Sequence, residues 1–395
     1  MSYLVRAIII PAIITIAYFY GNMILEPPQQ FPTNPGINQN EIRRVAMLLN
    51  NNGTPNEYGY LKTPVLLLTE SSLSTYQKLR MKKWDIVDVA TDEFYLSASI
   101  SDMVVLGRIH INFYDYKKGI SKTFEKNILP FMTPRMSQTS YRMFNSTQDD
   151  IIFEQGDFKF EIHNIDNKVT AKYHQRNITI SSPADNLYVN LLWNITSNHE
   201  GIGVVAPLDT DKTYFLYNFK YPNIPVEGIV KIDGNEYPLN YSNAASGYNW
   251  ARGVWPYNTH YWQARAQGHL ETGKRFSLNL GGGYAHNGTR EQATEDSFHV
   301  ERFMYKLNYV EPKYNYSNPN STWTFDCVGK ALPFSECHIE FTPKQMQTSS
   351  FSLFVFKSQI RTVFGTFSGF VSNEQGKKTR FENINGFIEV DVAKW

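Results

Sequence analysis

Apolar and polar residues alternate along most of this chain. Met103-Val104-Val105-Leu106, Ile109-His110-Ile111-Asn112-Phe113, Phe158-Lys159-Phe160-Glu161-Ile162 and Leu187-Tyr188-Val189-Asn190-Leu191 are apolar runs or period-two runs bounded by Gly, Asn, Asp and Pro. That pattern marks strands with one buried face. Tyr114 to Gly119 reads as a hairpin tip. Asp233-Gly234, between Ile229–Ile232 and Tyr237–Leu239, is a stronger one, because Asp-Gly meets the positive φ demands of a type I′ turn. Arg43 to Leu49 and Ile120 to Ile128 are short helical candidates. Many short strands with close turns and few helical stripes predict a mostly β protein built of barrels rather than an α/β fold.

One segment departs from the alternation. Ala7 to Leu25 carries no charge over 19 residues, a helical length of about 28 Å, close to the ~30 Å hydrocarbon core of a bilayer. Residues 1–26 are therefore expected to form an N-terminal transmembrane anchor, with Tyr18, Phe19 and Tyr20 at the far interface. The rival is a cleaved signal peptide, which ends in small residues; no clear small-x-small site precedes Pro27. Residues 27–40, rich in Pro, Gln and Asn, read as a linker. The folded body is expected as a first barrel domain over 41–220 and a second over 221–395, with the boundary where Tyr221-Pro222-Asn223-Ile224-Pro225 breaks regular structure.

Arg6 before the span and Glu26 after it place the large domain on the non-cytoplasmic side by the lysine and arginine bias. This means the secretory lumen or exterior or, alternatively, the mitochondrial inner membrane facing the intermembrane space. Eight N-x-S/T sequons, at Asn52, Asn145, Asn177, Asn194, Asn240, Asn287, Asn315 and Asn320, agree with a secretory lumen. With this Asn content, however, about five arise by composition alone. Cys327 and Cys337 are the only cysteines. They close a small hairpin disulfide in an oxidising compartment, or stay as two buried thiols elsewhere. Without a His cluster they make no zinc site, and no cofactor is expected. Lys plus Arg number 38 against 37 Asp plus Glu, with no long charge run, which argues against nucleic acid as a partner.

Chemistry concentrates between Gly247 and Gly283, where Trp250, Trp255, Trp262, Tyr248, Tyr257 and Tyr261 stand among Arg252, Arg265, His260 and Asn249. Trp250, Arg252, Trp255, Tyr257, His260, Trp262 and the later Glu295 are the candidate ligand-binding residues. Trp250 and Arg252 share a strand face. Arg252 is read as packing across a Trp to cap a barrel, against the alternative of holding a ligand carboxylate. His260 and Glu295 are the candidate acids, each set against a plainer role: a hydrogen-bonded rim histidine, and a solvated carboxylate or one paired to an arginine such as Arg252. Glu295 and Asp296 point to opposite faces if they lie in a strand, so they share no proton. Gly281-Gly282-Gly283 lacks the Lys-Ser/Thr of a phosphate loop and reads as a barrel corner that Asn279 bonds across. No G-x-S-x-G, H-E-x-x-H or Cys–His nucleophile motif is present.

Trp250-Ala251-Arg252-Gly253, Trp262-Gln263-Ala264, Asn279-Leu280-Gly281-Gly282-Gly283 and Ala293-Thr294-Glu295-Asp296 resemble, in order, the W-x-R-G, Trp-Ala, N-x-G-G-G and A-T-E-N runs of the domain of unknown function 2804 family. Asp296 stands where that family favours Asn. Val363-Phe364-Gly365, Phe367-Ser368-Gly369 and Asn385-Gly386-Phe387 look like the family's ending. The resemblance runs from about Val226 to Trp395. It implies a calycin-like architecture, two lipocalin-type β-barrels in tandem, similar to carotenoid hydratases, tocopherol cyclases and some fungal cyclases. It implies no catalytic residue, since the family has no assigned activity. Three functions remain open. The first is a membrane-anchored protein binding an apolar small molecule such as a lipid or isoprenoid. The second is an accessory structural subunit of a large membrane complex. The third is a hydratase, isomerase or cyclase on an isoprenoid-like substrate, using His260 or Glu295 as acid. The non-catalytic readings are preferred.

Overall fold

In the computed structural model the described residues are 38–394, apart from 105, 129–149, 166–172, 284–292, 316–317, 319 and 354–355. The expected anchor, most of the linker, and the sequons at Asn145 and Asn287 lie outside them. Among the described residues no helix is long and apolar enough to cross a membrane.

The body is mostly β, as expected. Short strands β1 (Ala46–Met47), β2 (Gly59–Leu61) and β3 (Leu66–Leu67) precede one helical turn and a half, α1 (Thr75–Arg80). A capping box between Ser74 and Gln77 starts that helix. The first large sheet draws on β4 (Met81–Thr91), β5 (Phe94–Asp102), β6 (Gly107–Asp115), β7 (Ile120–Ile128), β8 (Ile151–Gln155), β9 (Phe158–Ile165), β10 (Tyr173–Ser182), β11 (Leu187–Thr196), β12 (Ile202–Pro207), β13 (Phe215–Ile232), β14 (Asn235–Leu239) and β15 (Ala244–Val254), with β2 at its edge. The second holds β16 (Asn258–His269), β17 (Arg275–Gly282), β18 (Ser297–Val300), β19 (Phe303–Lys306), β20 (Val310–Lys313), β21 (Trp323–Cys327), β22 (Cys337–Leu353), β23 (Phe356–Ser372) and β24 (Lys378–Lys394).

The pairings of both large sheets are antiparallel and the sheets curl into half-barrels. The path of the first runs β7-β6-β5-β4-β15-β13-β11-β10-β9-β8, and that of the second runs from β19 to β20 through the β16–β24 pair. The expected barrels are therefore open: the end strands of each path do not pair with one another.

Four local expectations change. Met103, Val104 and Leu106, read as part of a strand run, lie between β5 and β6 outside any strand, with Val104 at φ 69°. Ile120 to Ile128 is strand β7, not a helix, and pairs with β6 from Gly107↔Ile128 to Asp115↔Ile120. Its apolar residues fall four apart, at 120, 124 and 128, which is one helical turn or two full pleats, so tertiary pairing decides. Arg43 to Leu49 likewise holds no helix; Ala46–Met47 pairs in parallel with Leu66–Leu67. At the expected boundary, Tyr221 to Pro225 does not end a strand but bulges one. β13 shifts register between Tyr221 and Ile224, with Asn223 at φ 57°. Its two halves thereby serve different neighbours, β12 and β11. The chain passes from one sheet to the other later, between Val254 and Asn258. The Asp233-Gly234 turn forms as read, both residues at positive φ.

Alternation then sets two apolar cores. Val87, Leu96, Ile111, Phe219, Tyr248 and Trp250 point into the first half-barrel, and Trp262, Ala264, Phe325, Phe367, Ile388 and Val390 into the second. The opposite faces of β4, β5, β6, β13 and β15 pack against those of β16, β23 and β24. Asn385 Nδ2 donates to Thr91 O at 3.0 Å, Tyr116 Oη donates to Gly386 O at 2.7 Å, and Tyr95 meets Phe387 edge-on at 5.2 Å. Gly386 is required there, since a Cβ would come within 2.1 Å of Arg265 O.

Candidate functional site

Between the two back-to-back sheets lies a cavity of about 110 Å³. Its polar wall comes from odd and even positions that the core-facing residues leave over: Ser97, Ser99 and Ser101 on β5, Arg108 and His110 on β6, Asn218 and Lys220 on β13, Gln263 and Arg265 on β16, Glu389 and Asp391 on β24. Trp84, Ile86, Leu216, Ile360 and Phe387 supply the apolar part.

The acidic pair on β24 is the centre of its chemistry. Glu389 and Asp391 are two residues apart and so share a face. Burial, with the charge of Glu389 second, pushes the Asp391 carboxyl up to about 7, against opposing hydrogen bonds from Tyr261 and Ser358. Its Oδ1 has no hydrogen-bond partner. Burial also raises Glu389, opposed by Gln263, whose Nε2 donates to it at 2.7 Å, and by Arg265. On the cationic side, burial lowers Lys220 to about 8 although it pairs with Glu295 at 2.7 Å. Burial and Arg108 lower His110 to about 4. Arg265 is buried, which opposes its charge, yet its pair with Asp88 leaves its pKa raised. A carboxyl whose protonated form burial favours thus stands beside Arg265, Lys220 and an uncharged imidazole in one cavity.

The seven candidate ligand-binding residues do not line this cavity, although Asn249, Tyr261 and Arg265 of the Gly247–Gly283 run do. Trp250 packs in the first core, edge-on to Tyr217 at 4.9 Å and stacked near Phe219 at 6.1 Å. Arg252 lies under the same ring, its Cζ 5.8 Å from the centroid, and its Nη2 bonds Asp85 Oδ2 at 2.8 Å. This is the structural role read for it. Trp262 fills the second core against Phe325 at 5.8 Å. Trp255 backs the lining residues Trp84 (5.5 Å) and Tyr261 (6.0 Å). Tyr257 is half-buried in the turn before β16. His260 is half-buried too, its pKa lowered by burial, and by alternation it shares the Trp262 face, away from the cavity.

Glu295 is buried outside any strand, but its partners are Lys220 and Asn218, at 2.7 and 2.9 Å, and not Arg252. Through Lys220 and Asn218 it reaches the cavity wall indirectly. Asp296 beside it accepts from Gly281 N and Val310 N at 3.1 Å each, and Asn279 Nδ2 bonds Glu295 O at 2.8 Å across the glycine corner, as expected. Cys327 and Cys337 form a disulfide that joins the end of β21 to the start of β22. Among the described residues no group of His, Cys, Asp and Glu is arranged to hold a metal ion.

Asp391 and Glu389 went unread in the sequence. The signal was there in Phe387-Ile388-Glu389-Val390-Asp391-Val392, where carboxylates alternate with β-branched residues. Such a strand ordinarily turns its acids to solvent. Only the second sheet's packing against the first turns them inward.

Among curated proteins no sequence matches the chain. Solved structures with a similar trace include a protein from Nitrosomonas europaea described as AttH (10% identity, 80% of this chain and 96% of that one, TM-score 0.44). Kievitone hydratase from Nectria haematococca (12%, 79% and 88%, 0.45) and CghA (9%, 94% and 97%, 0.41) are others. At these values the likeness carries no functional weight. The matching family, by contrast, spans nearly all of the described body together with the acid pair of β24: residues 39–395 match the domain of unknown function DUF2804, and the chain belongs to that family.

Proposed function

We propose that the cavity between the sheets is an active site for proton-transfer chemistry on a small molecule, with Asp391 as the acid. One observation carries this reading: a buried carboxyl, pushed up to about 7, keeps one oxygen unpartnered in a cavity. A group with pKa near the working pH combines a protonated population with a usable driving force for transfer. Asp391 would give its proton to an alkene or carbonyl carbon or oxygen. The positive charge that develops would face the Glu389 carboxylate and the Tyr261 and Phe387 rings. The reaction class is hydration, isomerisation or cyclisation, and the acid is Asp391 in place of His260 or Glu295.

The size argues for a short substrate. An engineered cavity of about 150 Å³ takes one benzene, so 110 Å³ suits a C5-type isoprenoid unit rather than a long lipid chain. A membrane tether over residues 7–25, holding this body on the non-cytoplasmic side, belongs to the same proposal. So does the possibility that the tether joins it to a larger membrane complex.

The test is incubation of the full chain with C5 to C10 alkenols and enones, with mass-spectrometric detection of products. Turnover by the wild type that falls about 10²-fold or more in Asp391→Asn supports the reading. Turnover unchanged in Asp391→Asn overturns Asp391 as the acid. Retention of a compound without any product replaces catalysis with binding.

A further inference from the structure

Next to the cavity is a second void of about 20 Å³, bordered by Asp88, Asn249, Arg265 and Ser277. A volume of ~10–15 Å³ accommodates one water molecule. All four residues are buried, at 2%, 3%, 6% and 1% exposure. Each also carries a buried atom with no hydrogen-bond partner: Asp88 Oδ1, Asn249 Oδ1, Arg265 Nε and Ser277 Oγ. An unsatisfied buried polar atom costs about 1–3 kcal/mol, so four around one void need an occupant. Two of the four, the Asp88 and Asn249 oxygens, only accept. Arg265 Nε–H only donates, and the Ser277 hydroxyl is able to donate. Two acceptors and two donors complement the two hydrogens and two lone pairs of a water molecule. Asn249, Arg265 and Lys220 line both this void and the larger cavity, so an occupant sits against the cavity wall.

We infer that this void is a built water site, and that its water is the second reactant of the cavity, which makes the reaction an addition or elimination of water. This rests on the reading of the cavity as an active site. In the addition direction the Asp391 proton goes to one alkene carbon and a C–H bond forms as the C=C π bond opens. The water oxygen, freed of the hydrogen bond from Ser277 Oγ, then uses that lone pair to form a C–O bond at the other carbon. Its surplus proton passes to Asp88 Oδ1, and exchange with solvent returns Asp88 and Asp391 to their starting states. The sum is alkene plus water to alcohol, with no oxidant or reductant. Arg265, which holds the other oxygen of Asp88, is a positioning residue in this step.

The test has two arms that fail separately. In the first, crystals of the wild-type full chain at a resolution that shows ordered solvent should give one water within hydrogen-bond distance of all four residues, and Ser277→Val should remove it. A wild-type map without that water overturns the inference, whatever the activity. In the second, prenol and isoprenol are offered in ¹⁸O-labelled water. A labelled diol from the wild type, formed about tenfold more slowly by Ser277→Val, upholds the water as reactant. Unlabelled isomers alone overturn its role while leaving the cavity an active site. No product from either alkenol overturns the cavity reading and the water's reactive role with it, and the electron density alone then decides the water site.

Discussion

Two arginine–aspartate pairs straddle β4, and their difference separates structure from chemistry. Arg252 and Asp85 face the first core, both at 1% side-chain exposure. Arg252 donates to Asp85, Trp84 O and Ala251 O, and Asp85 takes a further bond from Tyr248 Oη at 2.5 Å. Arg265 and Asp88, on the other face, are nearly as buried. Each nevertheless keeps an unpartnered atom, Arg265 Nε and Asp88 Oδ1, and both border voids. A buried pair with every hydrogen bond filled belongs to the scaffold. A buried pair with capacity left over is positioned for a guest.

The largest effect should come from Arg252→Ala. Removing one partner of the satisfied pair leaves Asp85 charged in an apolar core, and urea unfolding should show a loss of about 3–5 kcal/mol. Arg265→Met should lose less, about 1–3 kcal/mol, because the adjoining voids admit water to the stranded Asp88. Equal losses in the two variants would break the comparison.

Asp391→Asn sharpens it through pH. Burial pushes the folded-state carboxyl up to about 7 from the ordinary aspartate value of 3.8. The folded protein therefore holds the proton more tightly than the unfolded chain, and this stabilisation is complete below pH ~4 and lost as pH rises through ~7. Thermal melts should show the variant gaining several degrees on the wild type at pH 8 and little at pH 4. A pH-independent difference would mean that Asp391 is ionised as an ordinary aspartate. The smallest effect is expected at the cavity wall itself. Ser99→Ala removes one hydrogen bond, to His110 O at 3.1 Å, and should shift stability by about 1 kcal/mol or less in the same urea assay.

Much of the β framework was legible along the chain. The Asp233-Gly234 hairpin and the Asn279 bridge over the glycine corner follow from local rules of turn chemistry, whereas cysteine spacing and strand parity allowed the disulfide and the packing of Arg252 on Trp250 without deciding either. The site was legible only in part. The Gly247–Gly283 run does build one of its walls, but through Asn249, Tyr261, Gln263 and Arg265, while the indoles that drew attention to it occupy the cores on the other face. Large rings dominate a reading of composition because they carry the most apolar area, and for that same reason they are what the cores consume.

Period-two alternation determined by itself that these segments are strands and which residues share a face. It left a binary choice at every strand: which face meets its own half-barrel and which meets the other sheet. Tertiary packing made that choice by setting the two curled sheets back to back. Ser97, Arg265 and Asp391, separated by up to some three hundred positions, thereby came to border one cavity. Local propensity carries no information about a partner so distant in sequence, and the low dielectric that raises Asp391 arises only once both sheets are in place.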